Sequence, residues 1–349
     1  MQTPDTILIT GGCGFIGSHF VRRALAMGYR IINVDKLTYA GHLENVSDCQ
    51  SHPQYVFYQS DICDFDAIGK ILRKEQPQVV VNMAAETHVD RSIDSGAAFV
   101  QTNVMGTFQL LQASLRYYQS LSGQQKQDFR FFHLSTDEVF GAVPPRGDKF
   151  CETTPYNPSS PYSASKAGSD LMAQAFHKTY GLPTIIVNCV NNYGTHQFPE
   201  KLIPLMILNA LNQQPLPVYG DGQQIRDWIF VEDTVEVLFQ LITKGVIGAS
   251  YCVSGEDEWA NIDLIHKICD LLDTKKPLAN ASYQSLITYV KDRPGHDRRY
   301  ALNASKLRKT INWKPNYSID QGLSITIDWY IHQAETLNQL FDRHRLGVL

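Results

Sequence analysis

The chain has 349 residues, 43% of them hydrophobic and 19% charged, with a formal net charge of −4. That length holds one large α/β unit with a smaller lobe, or two domains, while the acidic balance and the lack of a Lys/Arg cluster argue against a nucleic-acid partner. Seven scattered cysteines without a Cys-x-x-Cys suit a reducing compartment and no metal site; no apolar run is long enough to span a membrane, and Met1-Gln2-Thr3-Pro4-Asp5 leads straight into a strand, so a cytoplasmic protein without a signal peptide is expected.

Thr6 to Thr10 reads as a short apolar strand, followed by Gly11-Gly12-Cys13-Gly14-Phe15-Ile16-Gly17 and an amphipathic helix from Ser18 to Met27. Glycines so placed permit a tight turn, close approach of backbone to a pyrophosphate, and close helix–strand packing. A second strand, Arg30 to Val34, ends in Asp35, 18 residues past Gly17. A carboxylate there accepts from a ribose 2′-hydroxyl and repels a 2′-phosphate, so NAD is expected over NADP, with Lys36 as the one opposing feature. The tract from Leu37 to Ser51 reads as loop and short helix. A third strand, Tyr55 to Gln59, ends at Ser60-Asp61-Ile62, where Asp61 either meets an adenine amino group or caps the helix Phe65 to Lys74. Val79 to Met83 is continuously apolar, as in a parallel sheet covered on both faces. The small Ala84 and Ala85 that follow let backbone approach a diphosphate and ribose. His88 and Asp90 either reach a substrate or cap their loop. A helix from about Gly96 to Tyr118 carries Thr102 and Asn103 near the sheet end, and Gly123 to Asp128 reads as a polar turn.

The strand Phe129 to Leu134 then runs into Ser135-Thr136-Asp137-Glu138, a hydroxyl and two adjacent carboxylates at a strand end. Pro161 opens a helix on which Tyr162 and Lys166, at i and i+4, share a face. An ammonium beside a phenol favours the phenolate and would draw Tyr162 from about 10 towards neutrality. Either motif alone is ordinary; together, downstream of a nucleotide fingerprint, they exceed the proton-transfer needs of a simple alcohol dehydrogenation. With Thr184 to Cys189 the alternation reaches six or seven strands. The expected fold is α/β: a doubly wound, parallel-sheet Rossmann domain with a smaller, mostly C-terminal α/β substrate domain. The expected limits are 1–190 and 191–349, with some later segments returning to the first domain. Past Val190-Asn191-Asn192-Tyr193-Gly194 the alternation breaks. His196 to Pro204 opens an apolar helix, Pro217 to Gly222 is a short strand and turn, Arg226 sits near Trp228, and Asn261 reads as a helix cap. Lys291 to Tyr300 is the most basic stretch and suits a diphosphate, or else holds surface ion pairs worth little. Trp313, Tyr317, Ile325 and Trp329 read as packing residues.

Taken together, Thr10 to Gly17, Asp35 to Gly41, His88 to Ile93, Ser135 to Val139, Tyr162 to Lys166, Asn191 to Gly194, Arg226-Asp227-Trp228 and Asp292 to Asp297 resemble the nucleotide-sugar 4,6-dehydratases of the extended short-chain dehydrogenase/reductase family over nearly the whole length. The likeness is strongest to the branch acting on dTDP-glucose. Thr136-Asp137-Glu138 separates dehydratases from the epimerases and decarboxylases that share the other motifs. The resemblance implies NAD held by Gly11, Gly14, Phe15, Ile16, Gly17, Asp35, Lys36, Leu37, Thr38, Asp61, Ile62, Ala84, Ala85, Thr102, Tyr162, Lys166 and Asn192. It implies a nucleotide-diphosphate sugar held by Thr87, His88, Thr136, Asn191, Lys201, Leu202, Pro217, Tyr219, Arg226, Asn261, Asp292, Arg293 and His296. It also implies a homodimer paired through helices near 100–118 and 163–178. In the implied reaction Tyr162, lowered by Lys166, takes the 4-hydroxyl proton as C4 is oxidised, and Thr136 holds that oxygen. Glu138 removes the C5 proton, a neutral Asp137 protonates the departing 6-hydroxyl, and hydride returns to C6. Cys13, Thr87, Val190 and Asn303 depart from the residues usual in the family. Two other readings share the fold: an NAD-dependent epimerase, or dehydratase of another hexose, and a catalytically silent NAD-binding scaffold.

Overall fold

The computed structural model describes residues 5–144 and 147–340; the opening segment Met1–Pro4 and the chain past 340, both inside the expected domain limits, lie outside the described residues. The first half alternates β1 (Thr6–Thr10), α1 (Phe15–Ala26), β2 (Arg30–Asp35), β3 (Tyr55–Gln59), α2 (Phe65–Glu75) and β4 (Val79–Asn82). Next come α3 (Val89–Asp94) and a long helix in three parts: α4 (Ala97–Phe99), a π-helical stretch over Val100–Gly106, and α5 (Thr107–Ser120). After α6 (Gly123–Asp128) follow β5 (Arg130–Thr136), α7 (Pro161–Tyr180) and β6 (Thr184–Cys189). The second half holds β7 (Asn191–Tyr193), α8 (Leu202–Leu211), β8 (Leu216–Tyr219), β9 (Ile225–Phe230), α9 (Val231–Lys244), β10 (Ser250–Val253), β11 (Glu258–Ala260), α10 (Asn261–Lys275), β12 (Ile287–Val290), α11 (Ser305–Ile311) and α12 (Ile319–Leu340).

Seven strands form one parallel sheet in the order β10-β6-β5-β4-β1-β2-β3. Order reverses between β1 and β4, the switch point at which a doubly wound sheet opens a crevice at its carboxyl edge. Both faces are covered, which is why the strands read as unbroken apolar runs. Ile7, Ile9, Val79 and Val81 pack towards Phe20 and α9, whereas Leu8, Val80 and Phe131 pack towards α2 and α5. The seventh strand, β10, comes from beyond the point where the alternation breaks. A second lobe carries the three-stranded β11-β9-β7 and two-stranded β12-β8 sheets, with a core of residues from α8, α10 and α12. No helix among the described residues is long and apolar enough to cross a membrane.

Several local expectations need correcting. Residues 123–128 form a short helix, with Gln124 donating to Asp128 across one turn at 3.0 Å, in place of a turn. Asp64, not Asp61, caps α2 by accepting from the Ala67 amide. The helix expected to open at His196 starts only at Leu202, because Lys201 is still extended. Asn261 does not cap α10: it is the first helical residue, after an extended Ala260, and its buried Oδ1 has no partner. Ile325 is exposed, since it lies on the outer face of α12.

Candidate active site

The crevice at the sheet's carboxyl edge is a cavity of about 360 Å³. Its floor is the glycine loop. Gly11 has φ +75° and a Cβ there would stand 2.7 Å from the Ala84 amide nitrogen; a Cβ on Gly17 would stand 2.1 Å from the Gly11 carbonyl. Only hydrogen fits at either place. The N-terminus of α1 has no side-chain cap and no acidic residue in its first turn, and Gly14, Phe15, Ile16 and Gly17 line the cavity. Free amides and the positive end of a helix facing a cavity suit a diphosphate. At the end of β2, Asp35 accepts from the Cys13 and Leu37 amides, both at 2.9 Å. The carboxylate is thereby locked towards the cavity. Lys36 also lines the cavity but is paired with Asp61 at 2.6 Å, so its charge is already engaged where a 2′-phosphate would need it. Val34, Asp35, Ser60, Asp61, Ile62, Ala84, Ala85 and Thr102 complete a wall sized for a dinucleotide. The π-helical stretch brings Asn103 inwards, where its side chain pairs with both backbone groups of Glu86 at 2.9 Å and donates to Ser165 at 2.9 Å. This ties the β4 loop to α7.

The strand end of β5 and the first turns of α7 meet across this cavity. Ser160 and Ser163 form a reciprocal capping box with Pro161 at the first helical position, fixing where α7 begins. Tyr162 and Lys166 therefore face β5. The Lys166 ammonium donates to the Leu134 carbonyl at 2.8 Å; burial pulls it down to about 8, opposed by Asp170. Tyr162 is pushed well above its ordinary value by burial and by Glu138, with the Thr136 hydroxyl acting the other way. The expected lowering of Tyr162 by Lys166 is not seen: the ammonium is committed to a backbone carbonyl, and the charges that act on Tyr162 are carboxylates. A 3₁₀ turn over Asp137–Phe140 projects the two acids. Asp137 is 2% exposed, takes the Thr136 hydroxyl on Oδ1 at 3.1 Å and leaves Oδ2 without a partner. Burial and the adjacent Glu138 push it up to about 8. Burial also raises Glu138, but Arg293, Arg226 and Lys201 counter it. Burial raises both acids, but Glu138 is acted on by three cations, whereas Asp137 is acted on by Arg226 and by Glu138 itself; the shared proton is favoured on Asp137.

The second lobe closes the far side. Arg226, 5% exposed on β9, stacks on Tyr300 at 4.3 Å and donates to the carbonyls of Ile225 and Asp297. It does not pair with Asp227, which is held by Ser254 and the Asp257 amide. Arg293 reaches Asp90 at 3.5 Å, Tyr219 donates to Asp90 at 3.3 Å, and His296 meets Asp292 at 2.6 Å. Lys201 donates to the Thr87 carbonyl at 2.6 Å. His88 serves as the cap of α3, accepting from the Arg91 amide.

Of the residues singled out in the sequence, Thr38, Thr87, Thr136, Glu138, Tyr162, Lys166, Asn191, Asn192, Lys201 and Leu202 line the cavity with the glycine loop. Leu37, His88, Asp137, Pro217, Tyr219, Arg226, Asn261, Asp292, Arg293 and His296 stand outside its lining. Glu86 and Glu200 were not singled out, yet both line it. Glu200 takes the Tyr39 hydroxyl at 3.0 Å, and burial raises both carboxyls. Among the departures, Cys13 and Val190 are buried, Thr87 serves through its carbonyl, and Asn303 accepts from Ser305 at the start of α11.

A glycine-loop Rossmann sheet with a Tyr-x-x-x-Lys helix and a nucleotide-facing second lobe defines the extended short-chain dehydrogenases/reductases. The family model for GDP-mannose 4,6 dehydratase matches residues 8–326. The dTDP-glucose 4,6-dehydratase of Neisseria meningitidis serogroup B is 51% identical over 98% of this chain and 99% of its own length. Two solved structures are similar: Streptomyces venezuelae DesIV, a dTDP-glucose 4,6-dehydratase with NAD and TYD bound (38% identity, TM-score 0.88, 96% of this chain and 100% of that one), and dTDP-glucose 4,6-dehydratase of Bacillus anthracis in complex with NAD (41%, 0.84, 96% and 99%). The chain belongs to the dTDP-glucose 4,6-dehydratase family of extended short-chain dehydrogenases/reductases.

Proposed function

We propose that the protein is a hydro-lyase of deoxysugar biosynthesis that converts dTDP-glucose to dTDP-4-keto-6-deoxyglucose and water with NAD as resident cofactor. The observation that carries this reading is the pair of adjacent carboxyls at the end of β5, with Asp137 taking the Thr136 hydroxyl and Glu138 lining the same cavity as Thr136, Tyr162 and Lys166. NAD held along Gly11, Gly14, Asp35 and Thr102 would supply the hydride acceptor for C4 and, once reduced, the hydride donor for C6. Tyr162 takes the proton of the 4-hydroxyl while Thr136 holds the same oxygen. The 4-keto group acidifies C5–H, and Glu138 removes that proton. Asp137 delivers its own to the 6-hydroxyl, which leaves as water; C5 is reprotonated as C6 is reduced, so the cycle is redox-neutral. Arg226, Arg293 and Lys201 hold the diphosphate side. We assign residues up to 190 mainly to cofactor binding and those from 191 mainly to the nucleotide sugar, with β10 and α11 returning to the first unit. A cytoplasmic homodimer fits the apolar side chains exposed on the π-helical stretch and α7: Val100, Met105, Leu171 and Met172.

The test is assay of the purified protein and two variants against dTDP-, UDP-, CDP- and GDP-hexoses. Asp137→Asn and Glu138→Gln should each still oxidise C4, seen as reduced-nicotinamide absorbance, while product formation falls by roughly 10²–10⁴. Asp137→Asn should retain exchange of the C5 hydrogen with solvent deuterium, and Glu138→Gln should lose it. Full activity in both variants would leave the epimerase reading as the better one.

A further inference from the structure

Behind the catalytic strand end lies a buried carboxylate that the mechanism above does not use. Asp170 is 0% exposed and stands at i+4 from Lys166 and i+8 from Tyr162, on the α7 face that meets the sheet. Its Oδ2 accepts from Ser135 at 2.8 Å, Tyr156 at 2.9 Å and Asn188 at 3.1 Å. His133 Nε2 lies 3.2 Å from Oδ1. The Asn188 amide also donates to the Thr136 carbonyl at 3.2 Å. One carboxylate thus gathers β5, β6, α7 and the loop before α7 directly beneath Thr136.

The hydrogen bonds fix the His133 tautomer. Thr10 donates to Asn82 Oδ1 at 2.7 Å, so Asn82 presents its Nδ2 to His133 Nδ1 at 3.1 Å, and that nitrogen must accept. Ser169 donates to the Lys166 carbonyl, so its oxygen accepts from His133 Nε2 at 3.0 Å. The imidazole is therefore neutral with its proton on Nε2 and donated to Ser169, with Asp170 Oδ1 beside it but without a hydrogen bond of its own. Burial and Lys166 both hold it in that form. With a neutral histidine as neighbour, the cation that the Asp170 charge acts on along this helix face is Lys166.

We propose that Asp170 is a positioning residue for the reaction: its carboxylate clamps β5 and β6 to α7 and sets a negative charge one helical turn from Lys166. This rests on the dehydratase reading above. The two roles make different predictions. A clamp alone affects placement; a charge also moves titrations. Acting on Lys166 are Asp170 on its own helix and Cys189 of β6, and Lys166 in turn acts on His133 of β5; acting on Tyr162 are Glu138, Thr136 and Asp137 from the β5 end, and Asp170. Loss of the Asp170 charge would make both the Lys166 ammonium and the Tyr162 phenol release their protons more readily.

The experiment compares Asp170→Asn with Tyr156→Phe, which removes one donor and keeps the charge. For Asp170→Asn both limbs of the kcat profile should move to lower pH by about one unit or more. Its kcat should fall at least about tenfold with KM little changed. Tyr156→Phe should keep the wild-type limbs. A superimposable Asp170→Asn profile, or a loss confined to KM, would overturn the proposal. Imidazole nitrogen NMR of the wild-type holoenzyme needs no variant to fold: a neutral, Nε2-protonated His133 supports the clamp, and the other tautomer or an imidazolium overturns it. Absence of wild-type turnover on every hexose would strike the dehydratase reading instead, and the NMR result would stand apart from it.

Discussion

Burial and the adjacent Glu138 push Asp137 up to about 8 in the folded protein, against an ordinary value of 3.8 in an unfolded chain. Between those values the folded state binds the extra proton, so this group's contribution turns unfavourable as pH rises through that window and is fully unfavourable above it. Asp137→Asn should therefore gain stability over wild type progressively from about pH 4 to pH 8, by a few kcal/mol at most. Denaturant titrations of both proteins across that range check it, and a constant difference would show that Asp137 is ionised. Tyr162→Phe should lower turnover by about 10²-fold or more with little effect on nucleotide-sugar affinity, measurable as a kcat loss at near-constant KM. The meeting of Thr136 and Glu138 with Tyr162 and Lys166 on one cavity was legible because each motif is short in sequence and follows a nucleotide fingerprint. Glu86, Glu200 and Asp170 were not, because their surroundings come from segments far apart in the chain. The Tyr162–Lys166 pairing was half legible: spacing gave the shared face, but not the Leu134 carbonyl that takes the ammonium.

Elements were legible where burial on both faces wrote itself into the sequence, as in β1, β4 and β6, and where a cap or proline marked a boundary, as at Pro161. The π-helical stretch left no such mark: one extra residue per turn does not disturb an apolar stripe enough to be seen. Nor did β9, whose Arg226 and Asp227 look like a surface pair until β7 and β11 enclose them. Ser160→Ala removes the cap that starts α7 and should cost about 1 kcal/mol in thermal or denaturant unfolding. Gly17→Ala places a methyl group against the Gly11 carbonyl. It should destabilise the fold by about 1–3 kcal/mol and strip nicotinamide cofactor from the purified protein, read by nucleotide release on denaturation; full cofactor content would mean that the loop yields.

At the scale of the molecule, Asp90 joins the halves, since it receives both Arg293 and Tyr219 from the second lobe. Arg293→Ala should weaken nucleotide-sugar binding more than it slows bound-state chemistry, a rise in KM exceeding the fall in kcat. The exposed apolar side chains of α7 give a separate test: Leu171→Glu should yield a monomer by sedimentation while the cleft stays formed. Their order aside, the six strands β1 to β6 could be recognised from the alternation alone. The seventh could not, because nothing local in Ser250–Val253 says that it leaves the second lobe to pair with β6.

That late pairing bears on how the protein is made. A ribosome finishes β6 at Cys189 and reaches Ser250 only about 60 residues later, which at roughly 5–20 residues per second is on the order of 3–12 s. Through that interval the β6 edge, six buried residues with Ile185, Ile186 and Val187 at its centre, has no strand to cover it. Open apolar edges invite pairing with other chains. Synthesis of this protein thus passes through a window in which crowded polysomes, chaperone supply and translation speed decide yield, before any catalytic residue matters.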